Sequence, residues 1–71
     1  MNKQRCTQRA KLDGATHFLA EDDGSLKFYR PSLMISGRYS SCKFTQTGDN
    51  SYYLLEKQWR FEEVPEMAVQ L

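Results

Sequence analysis

One histidine (His17), two cysteines (Cys6 and Cys42) and nine carboxylates are the residues of this chain best able to carry chemistry. A thiol nucleophile needs an imidazole held within hydrogen-bonding reach, and a general base needs an acid or nucleophile at fixed distance. His17 falls in a stretch that reads as a strand, so its neighbours across the turn are Tyr29 and Arg30, and neither makes a useful dyad with it. Its ring is expected to bond a backbone group. Cys6 sits in a polar terminal segment taken to be mobile, and Cys42 on the more buried side of another strand. No catalytic residue follows from this pattern, and the chain reads as a non-enzyme. Metal sites lack a basis too. Two cysteines and one histidine, separated by 11 and 25 residues, offer no close-spaced ligand pair of the kind zinc takes. Asp22, Asp23 and Asp49 fall in turns without the spacing of a calcium loop. Four scattered glycines form no phosphate-cradling loop. No cofactor and no metal are therefore expected.

The elements that would hold any site are short strands. Asp22-Asp23-Gly24 lies between two runs rich in residues that suit a pleated, half-buried surface, Phe18-Leu19 before it and Leu26, Phe28 and Tyr29 after it. An Asp-Gly step in that setting is a strong hairpin signal, because glycine accepts the positive φ that the turn demands. The first strand is predicted over Ala15 to Ala20 and the second over Leu26 to Arg30, ended by Pro31, which lacks a ladder donor. Ser32 to Gly37 reads as a turn of helix or a loop tucked under the sheet. From Arg38 to Gln46, Ser40, Cys42, Phe44 and Gln46 alternate with Tyr39, Ser41, Lys43 and Thr45, giving a third strand with a drier and a wetter face. Gly48-Asp49-Asn50 is a second turn, Tyr52 to Leu55 a fourth strand, and Trp59 to Val64 a fifth, stopped by Pro65. Leu54 to Arg60 also has the composition of a short helix. Trp59 and Phe61 are assigned to the core. Short connections favour sequential antiparallel pairing. The fold class is mainly β, a small antiparallel β-meander of four to five strands, open or curled towards a barrel, with a flexible basic N-terminal arm. Residues 1–12 are the arm, read as coil with a short helix as the alternative, 13–65 a single β domain, and 66–71 a loose C-terminal tail.

Seventy-one residues make one domain. Leu, Ile, Val and Phe number 14, about a fifth of the chain and close to the compositional border of disorder. Four Tyr and one Trp restore much of the missing apolar area. The net charge of +1 conceals an asymmetry. Lys3, Arg5, Arg9 and Lys11 stand without an acid in residues 1–11, whereas residues 12–71 carry six bases against nine acids, a net of −3. No apolar run resembles a signal peptide or a membrane span, so a cytoplasmic location with reduced thiols is expected, without membrane association.

Gly14-Ala15-Thr16-His17-Phe18, Lys27-Phe28-Tyr29-Arg30 one turn later, Trp59, and a closing Val64-Pro65 together resemble a loose group of small phage and prophage proteins of unknown function. The resemblance spans residues 14–65. It implies a β-rich fold and a phage origin, with a bacterial host cell as the compartment, and it carries no family activity. The chain departs from that pattern in Phe18, where Tyr or Trp is usual, in its single Trp, and in the basic arm. The residues themselves point to protein binding. Adjacent aromatics such as Phe28-Tyr29 and Tyr52-Tyr53 must point to opposite faces of a sheet, and exposed Tyr and Arg anchor interfaces. Tyr29, Arg30, Arg38, Tyr39 and Tyr53 are the candidate contact residues for a host or phage protein, or for a second copy joined through an edge strand. Two alternatives are a single-strand nucleic-acid module, using Lys27, Phe28, Tyr29, Arg30, Arg38, Tyr39 and Lys43 with the arm, and a minor structural component of a virion.

Overall fold

The first helix is set by its two ends more than by its interior. Asn2 places its side-chain oxygen on the Arg5 amide at 2.8 Å, satisfying one of the orphan donors of an N-terminus. At the other end Asp13 is the cap and Gly14 takes φ +97°. The Gly14 amide then bonds the Lys11 carbonyl and the Ala15 amide the Ala10 carbonyl, the paired bonds of a Schellman stop. In the computed structural model, which describes residues 1–54 and 59–71, the segment expected to be a flexible arm is thus helix α1, Lys3–Leu12.

Six short strands follow among the described residues: β1 His17–Ala20, β2 Leu26–Pro31, β3 Tyr39–Gly48, β4 Ser51–Tyr53, β5 Arg60–Phe61 and β6 Val69–Gln70. All pairings are antiparallel, in the order β4-β3-β2-β1-β6, with β5 beside β3 next to β4, and the sheet is not closed into a barrel. The β1–β2 turn is the expected Asp22-Asp23-Gly24, with Gly24 at φ +87° and the Ser25 amide bonded to the Asp23 carboxylate at 2.8 Å. At the β3–β4 turn Asn50 adopts φ +51°, and the register slips by one residue between Gln46 and Gly48. The expected fourth strand ends on Leu55, which lies outside the described residues, as does most of the Leu54 to Arg60 stretch read as an alternative helix. The C-terminal segment is no loose tail: β6 pairs Val69 with Phe18 and Gln70 with His17, and the Leu71 amide bonds the Thr16 carbonyl.

Register assigns the faces. Phe18, Phe28 and Cys42 stand side by side, as do Ala20, Leu26 and Phe44, so these residues share one side of the sheet. Phe28 meets Phe18 at 5.4 Å and Phe44 edge-on at 5.7 Å between ring centroids. Helix α1 covers this side with Cys6 and Ala10, both fully buried and clustered with Ala15, Leu26, Phe28, Cys42 and Phe44. Cys6 is therefore a core residue and not part of a mobile arm. Trp59 is half-buried and packs against this cluster, as expected, but Phe61 is 51% exposed, because β5 is only two residues long and carries Phe61 past the edge of the helix-covered core.

A helix that is integral to the core gives a direct test. Ala10→Glu would bury a carboxylate with no partner, a cost of more than about 3 kcal/mol, against a total stability of roughly 3–5 kcal/mol for a domain of this size. We expect this variant to lose its cooperative urea transition, while Gln8→Glu on the opposite face of the helix stays within about 0.5 kcal/mol of the native chain. A normal transition for Ala10→Glu would mean that the helix is not docked.

Candidate partner-binding surface

The side of the sheet away from α1 carries His17, Lys27, Tyr29, Ser41 and Lys43, as the pairings His17 with Tyr29, Tyr29 with Ser41 and Lys27 with Lys43 require. Its centre is sealed by its own side chains. Tyr29, expected to be available to a partner, is wholly buried, flanked by His17 and Ser41 on the neighbouring strands and with the Lys27 ammonium 6.0 Å from its ring centroid. Its hydroxyl is buried without a hydrogen-bond partner among the described residues. Burial, with the negative charges of Glu62 and Glu21, pushes the phenol up to about 12. Beside it Glu62 accepts from both Lys27 and the Ser41 hydroxyl. Burial alone would raise the Glu62 carboxyl, but those two donors together with the Lys27 charge hold it below its ordinary value. Lys43 lies 3.7 Å from Glu21 and 3.4 Å from Asp23. Lys27 and Lys43 on this face are thus matched by acids of the same chain.

Arg30 points to the helix side. Its guanidinium stacks 4.1 Å over Trp59 and donates to the Asp13 carbonyl at 2.9 Å, so it ties the C-terminal end of α1 to the sheet. His17 bonds the Thr16 hydroxyl at 2.8 Å, in place of the expected backbone group, and meets Tyr39 edge-on at 5.9 Å. Cys42 faces the helix and His17 the opposite side, so the sheet itself separates thiol from imidazole. Burial, aided by the charge of Asp13, pushes the Cys42 thiol up to about 12, and burial also raises Cys6. Among the described residues no three His, Cys, Asp or Glu side chains gather as a metal site would require, and no helix is long and apolar enough to cross a membrane.

The open surface lies at one end of the β2–β3 hairpin. The segment read as a turn of helix or a loop tucked under the sheet is a loop that projects from it, with Leu33 89% and Met34 87% exposed and Ile35 half-exposed beside them. The loop is ordered by its own hydrogen bonds. The Ser32 hydroxyl accepts from the amides of Met34 and Ile35, each at 3.1 Å, the Ser32 amide bonds the Arg38 carbonyl, and the Arg38 amide bonds the Ile35 carbonyl. Gly37, at φ +81°, completes the turn. Arg38 and Gly37 lead from this tip into an open groove of about 670 Å³, lined also by Tyr39, Phe61, Glu62, Glu63 and Val64. Of the five sequence-derived contact residues, Arg38 and Tyr39 line this groove. Tyr53, exposed at the far end of β3, is remote from it in the sheet register. Leu33, Met34 and Phe61 complete the surface, and the available sequence signal for the first two was an apolar run framed by a Pro-Ser start and a Gly stop.

No family model matches the chain, and neither a curated protein nor a solved structure matches it.

The unpartnered Tyr29 hydroxyl contributes nothing that a hydrogen atom would not. Tyr29→Phe should leave stability unchanged or raise it by up to about 1 kcal/mol in urea denaturation; a loss of that size would show that the hydroxyl has a partner. The raised, buried thiols should resist iodoacetamide at about pH 8 in the folded protein and react readily in urea. Rapid native-state labelling of Cys42 would contradict its placement beneath α1.

Proposed function

We propose that this chain is a non-catalytic protein-binding module whose β2–β3 tip inserts into an apolar socket on another protein. The observation that carries this reading is the adjacent, almost fully exposed pair Leu33 and Met34 on a hydrogen-bonded loop. Each such side chain contributes about 1.5–3 kcal/mol when it leaves water, and a loop already ordered in the free protein loses less entropy on docking. Tyr39, Arg38 and Phe61 extend the contact into the groove, supplying the aromatic and guanidinium groups that anchor interfaces. The resemblance of the Gly-Ala-Thr-His-Phe and Lys-Phe-Tyr-Arg segments to small phage and prophage proteins supports a host-cell protein as the partner.

Leu33→Asp/Met34→Asp is expected to weaken capture of that partner by at least about 100-fold while the urea midpoint stays within the range of an ordinary surface change. Tyr39→Ala should weaken it as well, by a smaller factor. Retention of full binding by the double variant would overturn the reading. Self-association of the native chain, abolished by the same double variant, would identify the partner as a second copy.

A further inference from the structure

The outer face of α1 has a composition that the fold does not explain. Cys6 and Ala10 face the sheet, so Gln4, Arg5, Gln8 and Lys11 form the opposite stripe, all exposed and without a hydrogen-bond or ion-pair partner for their side chains among the described residues. Lys3, whose ammonium lies 5.2 Å over the Phe18 ring, and Arg9, 3.8 Å from Asp13, flank it. No acid occurs in the first turn, where Lys3 and Arg5 stand. Cations there oppose the helix dipole and typically cost about 0.3–1 kcal/mol each. Three cations of the sheet are engaged, Lys27 and Lys43 with acids and Arg30 on Trp59, whereas Arg38 is open at the β2–β3 tip.

We infer that this face binds duplex DNA, with α1 in the major groove, a contact separate from the protein-binding tip. Arg5 and Lys11, joined by Lys3 and Arg9 once these turn from Phe18 and Asp13, give four cations with no acid between them in sequence, which match a phosphate backbone. A helix about 10–12 Å across with its side chains fits a groove about 12 Å wide, and the ten residues of α1 give it about 15 Å to lay along that groove, whereas the deep, narrow major groove of duplex RNA excludes it. Gln4 and Gln8, one turn apart, are of the side-chain type that pairs with adenine edges, and Arg5 of the type that pairs with guanine. Binding of a single strand by the sheet is a poorer fit, because Phe28 and Tyr29 are wholly buried and offer no face on which a base can stack.

The test is fluorescence anisotropy with the full chain and a mixed-sequence DNA duplex of roughly 20 base pairs. Affinity should fall on the order of 100-fold between about 50 and 200 mM salt, as expected for about four phosphate contacts. Arg5→Gln/Lys11→Gln, two exposed positions whose loss leaves the fold intact by circular dichroism, should weaken binding about 10-fold at low salt and make the salt slope shallower by about 2. Three results would overturn the proposal: no binding of the duplex at low salt, equal binding by the double variant, or tighter binding of poly-glutamate than of DNA, which would assign the face to an acidic protein.

Discussion

Everything in this small protein depends on the contact of Cys6 and Ala10 with the aromatic row Phe18, Phe28 and Phe44. A single sheet has two faces, and a chain with this few aliphatic residues cannot cover both with apolar side chains. One helix covers one face. Cys6 and Ala10 share one buried cluster with Phe28 and Phe44, and a close-packed interior holds much of its stability in such contacts. Arg30 then clamps the C-terminal end of the helix through Trp59 and the Asp13 carbonyl, while the Met1 and Tyr52 backbones exchange hydrogen bonds at its N-terminal end.

The opposite face is closed by other means. Tyr29 fills its centre and the Lys27–Glu62–Ser41 cluster caps it. Charged groups here are partly exposed, so they add modestly to stability; their larger effect is to match Lys27 and Lys43 with acids on this face. What remains open is set by subtraction. The apolar β2–β3 tip with its groove lies at one end of the sheet, and the acid-free stripe of α1 lies on its back. Among the described residues, the Leu33 and Met34 side chains and those of Gln4, Arg5, Gln8 and Lys11 stay exposed.

The hairpin turns and the face alternation of β3 were legible in the sequence, because an Asp-Gly turn and a period of two are local properties. Helix α1 was hard to read, since only two small residues touch the core and no apolar stripe results. Its signature lay in the caps, Asn2 and Asp13-Gly14. Tyr29 and Phe61 exchanged their expected places for a related reason. Residue type and alternation tell that two neighbours part company at a sheet, but not how far each face is covered, which depends on contacts distant in the chain, such as Lys27 with Glu62. The loop after Pro31 shows the same limit: Leu33 and Met34 are apolar enough for a core, yet the Ser32 hydroxyl and the short closure to Arg38 hold them outside it.

Native-state hydrogen exchange tests the central claim most directly. If α1 and the sheet share one core, the hydrogen-bonded amides of α1 should exchange with the same protection as those of Phe28 and Phe44, all limited by global unfolding. Helix amides that exchange freely while the sheet remains protected would contradict the account and return residues 1–12 to a loose arm.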